Sequence, residues 1–481
     1  MSCDVETAAR TADLVTQKIL INHALSAGWE LSDADAVDFY LYTKLATPEF
    51  MFIMTSDIPE ETWNAYDLGS LCPPGADRVF VRIDGGIYGM PQAGHLAQTK
   101  VVAHLAAHGY RETRTPMLFT HDTDKIFFSL VVDDFLIAHT GGAGDRLYAV
   151  LRKVYELKVN PVCHQYCGMT LAYAPDRSYV DVSCPGYVQN ALKLLGVTHT
   201  RTEHAPERHT PVIYGSKEAQ LATQDDSPPL SPADTKRLQR IVGIFLWYAR
   251  VIDGTMLGAV CRLGSKQAHP TARVLEAAEH LLQYAATYPD ATLRWYKSDM
   301  LLSVDADGSY LSEADARSRA AVFINLVSRT ADSHPHNHPV ELKSSIIGTV
   351  VSSTSACEYA STFEGGQLAF PLRTLLEDLG WPQPPTTITT DNSTACGIAN
   401  KTTKDKRSKA IDMRYHWIRD RVALKDFAAS WRAGKESLAD FLTKAHPASH
   451  CREVRHQYVL PCEPYRAVPP TLRRMPAINA R

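Results

Sequence analysis

The stretch Ile126-Phe-Phe-Ser-Leu-Val-Val-Asp133-Asp134-Phe-Leu-Ile-Ala138 sets two adjacent carboxylates between two apolar runs. Runs of β-branched and aromatic residues broken by an acid pair predict strand, turn and strand, with Asp133-Asp134 at the junction. Two carboxylates on such a turn can face a cleft and offer hard oxygen ligands to a divalent cation. The same dipeptide at Asp225-Asp226 sits in a Pro- and Ser-rich stretch where solvation explains it. The pair therefore takes its meaning from its surroundings.

Working outward, Leu14–Ala27 reads as a helix, 79–83 as a strand and 99–108 as a helix. The polar segment 198–235 reads as a linker or long loop. Beyond it, 234–263 and Ala272–Thr287 read as helices. The last third then predicts strands at 293–296, 301–304, 321–326 and 346–351, and a helix over 355–379. A strand at Thr386–Thr390 and helices over 408–426 and 436–444 complete the order. Mixed α+β and α/β multidomain architecture fits this order and the length of 481 residues. Gly365, Gly366 and Pro371 conflict with a continuous helix there, the proline alone by roughly 3 kcal/mol or more in a helix interior. Residues beyond 446 carry several prolines and little periodicity, which predicts a poorly structured tail.

Composition excludes several classes. Apolar residues at 45% and charged residues at 21% are ordinary for a globular protein, so wholesale disorder is excluded. No apolar run approaches membrane-span length, and the N-terminus lacks the apolar core of a signal peptide. Ten scattered cysteines predict reduced thiols rather than a disulfide framework, and Cys163-His164-x-x-Cys167 lacks a second pair at zinc-finger spacing. A net charge of −3 excludes a protein basic all over but leaves room for a local basic strip. One such strip runs from Lys401 to Asp426, with nine Lys and Arg against four Asp.

Four acids of the last third each have an ordinary explanation. Asp305 ends a predicted strand, Ser355-x-x-Glu358 makes a capping box, Asp391-Asn392 reads as a turn, and Asp440 pairs with Lys444 on a helix. Together, acids at two strand ends, a helix start and a late helix could converge on two divalent ions that activate water and steady a phosphate leaving group.

The ordered set resembles copia-type LTR-retrotransposon Pol polyproteins, in their reverse transcriptase and RNase H region. Trp29-Glu-Leu-Ser-Asp-Ala-Asp35-Ala-Val-Asp-Phe-Tyr40-Leu41 is similar to that family's "WELxQxDVxxAFL" block. Pro73-Pro-Gly75, Ile87-Tyr-Gly-Met-Pro-Gln92-Ala93, Thr115-Pro-Met-Leu-Phe119 and Val131-Val-Asp133-Asp134 resemble "PPG", "LYGLKQA", "DPCLF" and "YVDD". Asp305-Ala-Asp307, Ser352 to Tyr359 with Glu358, Asp391-Asn392, Arg407 to Asp412, His416-Trp-Ile-Arg419 and Ala439-Asp440-Phe-Leu-Thr-Lys444 resemble its RNase H end. The resemblance is collinear from about residue 5 to 446.

The resemblance implies a right-hand polymerase palm and thumb followed by an RNase H-like domain. It divides the chain into 1–155 (palm with partial fingers), 156–235 (palm end, thumb and linker), 236–298 (helical connection), 299–446 (RNase H-like) and the tail 447–481. It implies Asp35, Asp133 and Asp134 as catalytic ligands of two Mg²⁺ ions for nucleotidyl transfer, and Asp305, Glu358, Asp391 and Asp440 as ligands of two more for cutting RNA in RNA–DNA hybrids. Mn²⁺ is the alternative ion. Asp305 is preferred over Asp307 because 315–323 then falls into family register. Tyr40 would be the steric gate against a ribose 2′-OH, and Gln92 would contact nucleotide or template. Arg407, Lys409 and His416 would contact substrate. The implied partners are RNA template, DNA primer, RNA–DNA hybrid and dNTPs, with no membrane. A homodimer or association with Gag or integrase would fit, as would a cytoplasmic virus-like particle or the nucleus. Val131 stands where the family has Tyr, and Ala410 where it has His. The fingers segment expected before this start, the protease and the integrase are missing. That predicts a 5′-truncated or N-terminally processed polypeptide. His334-Pro-His-Asn-His338 reads as an inserted polar loop. The expected function is an RNA-directed DNA polymerase with RNase H activity. The rival is a decayed or domesticated element that binds nucleic acid without polymerising; a third reading is an unrelated Mg²⁺ nuclease.

Overall fold

The computed structural model describes residues 7–210, 225–329, 337–403 and 411–464. They form a multidomain α+β chain of two compact units: the first takes 30–162 and the segment up to Asp13, the second takes 14–29 and everything from Cys163. The first helix, α1 (Leu14–Ala27), thus groups with the second unit, not with the strands that follow it. The division falls after Val162, near the expected boundary at 155.

The first unit runs β1 (Glu30–Ala36), β2 (Lys44–Met54), α2 (Glu60–Ala65), α3 (Leu68–Leu71), β3 (Arg78–Gly85), α4 (Ala93–Ala106), β4 (Tyr110–Glu112), β5 (Leu118–His121), β6 (Ile126–Val131), β7 (Asp134–His139), α5 (Ala143–Leu151) and β8 (Leu157–Asn160). Six strands make an antiparallel sheet in the order β4-β5-β6-β7-β1-β8. Ala97, Val101 and Leu105 of α4 and Leu147 and Leu151 of α5 share one core with Phe128, Leu130, Phe135 and Ile137 of the sheet. Alternating side chains on each strand put that face inward. β2 and β3 form a separate hairpin whose Phe50, Phe52 and Phe80 are exposed. Val131 pairs directly with Asp134, which closes a two-residue turn over Val132 and Asp133. Val132 takes φ +58°, a left-handed conformation in which a β-branched residue is strained.

The second unit continues with β9 (Gln165–Tyr166), β10 (Met169–Tyr173), β11 (Tyr179–Ser183), α6 (Tyr187–Leu194), α7 (Pro232–Val251), α8 (Leu257–Ser265), α9 (Ala272–Thr287) and β12 (Thr292–Tyr296). β13 (Leu301–Ser309), β14 (Arg319–Val327), β15 (Glu341–Ile346), α10 (Thr354–Asp378), β16 (Thr386–Thr390), α11 (Ser393–Ala399), α12 (Trp417–Ala423), β17 (Phe427–Trp431) and α13 (Ala448–Val454) complete it. Strands β12-β11-β10-β9 form one antiparallel sheet. A five-stranded sheet has the order β15-β14-β13-β16-β17, with β16 parallel to β13 and to β17. α1 is buried on nearly every side. Its Lys18 Nζ donates to the Arg250 carbonyl at 2.7 Å, and its His23 Nδ1 accepts from Trp381 Nε1 at 2.8 Å.

Several expected elements are corrected. The helix over 234–263 breaks at Asp253, whose carboxylate accepts from the Thr255 amide and turns the chain between α7 and α8. The strand expected at 346–351 is β15, ending at Ile346. The helix expected over 436–444 is two 3-10 turns, Gly434–Glu436 and Asp440–Leu442. Of the helix expected over 408–426, residues 408–410 lie outside the described residues, and α12 is its regular part. The helix with the proline conflict is continuous: α10 runs through Gly365, Gly366 and Pro371. Pro371 and Gln367, the residue whose carbonyl loses its partner, are both on the exposed face, where water can satisfy the carbonyl. The glycines permit close packing, since a Cβ on Gly366 would lie 2.7 Å from Ile418 Cδ1 and one on Gly365 3.2 Å from Val304 Cγ1.

The expected unstructured tail is also corrected as far as Pro464. α13 and Tyr458 pack into the second unit, and Tyr458 is fully buried. Arg455, equally enclosed, donates Nη2 to Asp253 Oδ2 at 2.9 Å and Nη1 to Tyr284 Oη at 2.7 Å. Of the His334–His338 insertion, Asn337 and His338 are described and buried. They accept from the amides of Tyr296 and Arg294, so the end of the loop stitches β12 in place.

Candidate active sites

In the first unit, β1 and β7 are antiparallel neighbours in which Asp35 sits directly across from Asp134. The Ala36 amide donates to the Asp133 carbonyl at 3.0 Å, so the turn is tied to the end of β1. The sequence-predicted trio Asp35, Asp133 and Asp134 is thus brought near one end of the paired strands β1 and β7, all half-buried. Burial, then Asp133, Asp35 and Asp33, push the Asp134 carboxyl up to about 6; burial and Asp35 also raise Asp133. Tyr40 belongs to the same neighbourhood: burial, then Asp133 and Tyr88, raise its hydroxyl, and its ring meets Tyr88 edge-on at 4.9 Å. Its carbonyl lies so close to Gly86 that a Cβ there would approach to 2.9 Å. Gln92 precedes α4 and donates to Glu49 of β2.

The second unit holds a tighter group. One ligand oxygen each from Asp307, Glu358 and Asp391 lies within 4.8 Å of the others. Register explains the meeting. Asp305 of β13 is level with Thr389 of parallel β16, so Asp307 is carried to the level of Asp391, just past that strand. Glu358 reaches them because the cap of α10 is Ser353, whose Oγ accepts from Ala356 N at 3.1 Å. The expected capping box does not form, and Glu358 is buried in the second turn. In the same way Asn392 caps α11 through Ala395 N at 2.9 Å, which leaves Asp391 to face the group. Gly434 packs on Asp391, where a Cβ would lie 2.6 Å from Oδ2.

Burial, then Asp307 and Asp391, push Glu358 up to about 9; burial, then Asp440, push Asp307 up to about 7. Burial, then Asp440, also raise Asp391. Carboxylates that repel one another in a dry site are a charge arrangement that a cation relieves. Asp440 joins through Thr443, whose Oγ1 has both Asp307 Oδ2 at 2.8 Å and the Asp440 carbonyl at 2.9 Å within reach of its one hydrogen. Lys444 Nζ donates to Asp440 Oδ1 at 2.5 Å. Sequence reasoning gave Thr443 no role, although it lies inside the block Ala439-Asp440-Phe-Leu-Thr-Lys444 that carries part of the resemblance.

Asp305 is outside the three-carboxylate group. Burial pushes it up to about 6, against the pull of Arg432, whose Nη1 donates to Asp305 Oδ1 at 3.0 Å. Where the sequence prefers Asp305, the three-carboxylate group holds Asp307 with Glu358 and Asp391. His416 is the N-cap of α12, and its ring packs 5.7 Å from the Tyr359 ring. Arg407 and Lys409 lie outside the described residues. A second group able to chelate a divalent ion, Asp440 with His446 and His450, shares its aspartate with this site.

Comparison with known proteins supplies the class: the chain is a distant homologue of retrotransposon Gag-Pol polyproteins of the Ty1 type. It is 22% identical over 398 residues to the retrovirus-related Pol polyprotein from transposon TNT 1-94 of Nicotiana tabacum, covering 79% of this chain and 28% of that one. It is 19% identical over 463 residues to the truncated transposon Ty1-A Gag-Pol polyprotein of Saccharomyces cerevisiae, covering 91% of this chain and 35% of the relative. The chain therefore spans about a third or less of these relatives. No protein-family model matches it. Among solved structures, the foamy viral protease-reverse transcriptase in complex with RNA/DNA hybrid covers 89% of this chain and 46% of its own at 11% identity and a TM-score of 0.43. RNase H1 from Halobacterium salinarum covers 31% of this chain and 98% of its own at 15% identity and a TM-score of 0.21.

Proposed function

We propose that the chain is the polymerising and RNA-cutting part of a retrotransposon Pol protein, with a reverse transcriptase palm in the first unit and an RNase H centre in the second. The observation that carries this reading is the buried meeting of Asp307, Glu358 and Asp391 within 4.8 Å. An all-carboxylate donor set of this kind suits a hard cation such as Mg²⁺ or Mn²⁺ and not a soft one. Asp307, Glu358, Asp391 and Asp440 would hold the ions of the second unit, and Asp35, Asp133 and Asp134 those of the first. Divalent ions bound there supply activation of the attacking oxygen and charge neutralisation at the leaving oxygen.

The chain's own residues set the rest. Thr443 orients Asp307. Lys444 holds Asp440 from the solvent side. The edge-on ring of Tyr88 fixes Tyr40 beside the first trio, where its bulk would meet a ribose 2′-OH. RNA template, DNA primer, dNTPs and RNA–DNA hybrid are the substrates this reading requires. No described helix is long and apolar enough to cross a membrane.

The test is Mg²⁺-dependent cleavage of a labelled RNA–DNA hybrid beside primer extension on an RNA template, with Asp391→Asn and Asp133→Asn. Cleavage lost only in Asp391→Asn and extension lost only in Asp133→Asn is the expected pattern. Folded protein with neither activity would overturn it. A second reading, RNA cutting or nucleic-acid binding without polymerisation, is favoured by one observation. Among the described residues, both three-ligand groups within 4.8 Å lie in the second unit. Cleavage without extension would select it.

A further inference from the structure

Asp305 is 2% exposed and yet spends its charge on an arginine at the surface. Arg432 follows β17, whose Trp431 is level with Thr390 of β16, and the Arg432 amide donates to the Thr390 carbonyl at 3.0 Å. Its side chain crosses β16, the strand that leads to Asp391, and ends 3.0 Å from Asp305 on β13. The Arg432 side chain as a whole remains more than a third exposed, while its partner is buried. A pair of this kind is an expensive way to hold a fold together, because the buried carboxylate loses its hydration for a single hydrogen bond. It is an effective way to fix a cation in one place.

The place is the lip of a groove of about 610 Å³ that Arg432 lines together with Asp391 and Asp440. Lys435 and Lys444 line the same groove. Glu436 and Glu453 line it too, so the cations are placed singly beside a carboxylate centre, an arrangement that suits a polyanion whose one phosphate enters the centre while a neighbour meets a fixed cation at its rim. Arginine's planar fork suits a phosphate oxygen pair.

We propose that Arg432 grips a phosphate next to the one attacked, on the strand that the second unit cuts, and that Asp305 is the positioning residue that holds it there. This rests on the RNA-cutting reading of that unit. Hence Asp305, although the sequence places it among the metal ligands, acts on substrate affinity through Arg432.

The experiment uses the full chain and an RNA–DNA hybrid. Binding is measured in EDTA over a salt series, and KM and kcat in Mg²⁺. Arg432→Gln is expected to weaken binding about tenfold and to flatten the slope of log affinity against log salt by roughly 0.9, one phosphate contact. Asp305→Asn is expected to reproduce that loss, the double variant to add little, and Arg432→Lys to restore the slope. In all of them kcat at saturating hybrid changes less than about threefold, the mark of lost ground-state grip. Should Asp305→Asn fail to fold, the two exposed-site variants at Arg432 still decide the matter. Unchanged affinity and slope in Arg432→Gln would overturn the proposal while leaving RNA cutting intact. So would Asp305→Asn that loses kcat and demands more Mg²⁺ at normal KM, since Asp305 would then be an ion ligand. Wild-type protein that neither binds nor cuts hybrid would instead remove the RNA-cutting reading, and this proposal with it.

Discussion

At the residue scale, the proposed ion site of the second unit is built from groups that must lose protons before an ion can bind. Asp307 is pushed up to about 7 and Glu358 to about 9, chiefly by burial. Protons compete for the same oxygens, so Mg²⁺ affinity of the full chain should climb from pH 6 to pH 9 and binding should release protons. Calorimetry in buffers of different ionisation enthalpy checks this; flat affinity across that range would contradict it. Thr443→Val removes the donor to Asp307 without touching a carboxylate, and should lower cleavage or ion affinity about 10- to 100-fold. The acids that the structure brings near one another were legible as candidates because acids at strand ends and helix starts stand out from apolar runs. Asp305 and Asp307 were not separable, since residues two apart on one strand share a face. Only the pairing of Asp305 with Thr389 on a strand some eighty residues away decides between them. Thr443 lies inside the block around Asp440, but only the fold shows that its hydroxyl reaches Asp307.

At the element scale, α1 and α10 offer contrasting tests. In α1, burial drives the His23 ring down to about 4, below its ordinary 6.5. A histidine buried neutral leaves stability whole above about pH 6.5; as pH falls toward 4 the unfolded chain takes up the proton first and stability drains away, by about 3 kcal/mol in all. His23→Phe should flatten that acid limb of thermal unfolding, whatever it does at pH 8. In α10, Gly366→Ala would gain roughly 1 kcal/mol of helix propensity. Its Cβ would nevertheless lie 2.7 Å from Ile418 Cδ1 and 3.2 Å from the Trp417 ring. Overpacking of this kind costs about 1–3 kcal/mol, so net loss is expected in urea unfolding. The sequence read glycines and proline as interruptions because it shows propensity and not the neighbour each glycine admits. Uniformly patterned helices such as α1 and α9 were legible end to end. The break at Asp253 does carry a turn signal, Asp253-Gly254, flanked by apolar residues that continue the helical pattern, and the partner that secures it, Arg455, comes some two hundred residues later.

At the scale of the whole molecule, that same pair tests whether the segment beyond 446 is part of the fold. Arg455→Met would strand a fully buried Asp253 without its charge partner, which costs about 3–5 kcal/mol. A lowered melting temperature is expected, with partial recovery on adding Asp253→Asn. An unchanged melting temperature would return the segment to the status of an appendage. The threading of α1 has a separate consequence. Residues 14–27 belong with the second unit, and 30–162 form the first. Along the sequence, the second unit is therefore written in two pieces with the first set between them. Removing residues 14–27 would strike the unit whose bulk is encoded downstream, while an in-frame deletion inside 30–162 would leave both pieces of that unit present.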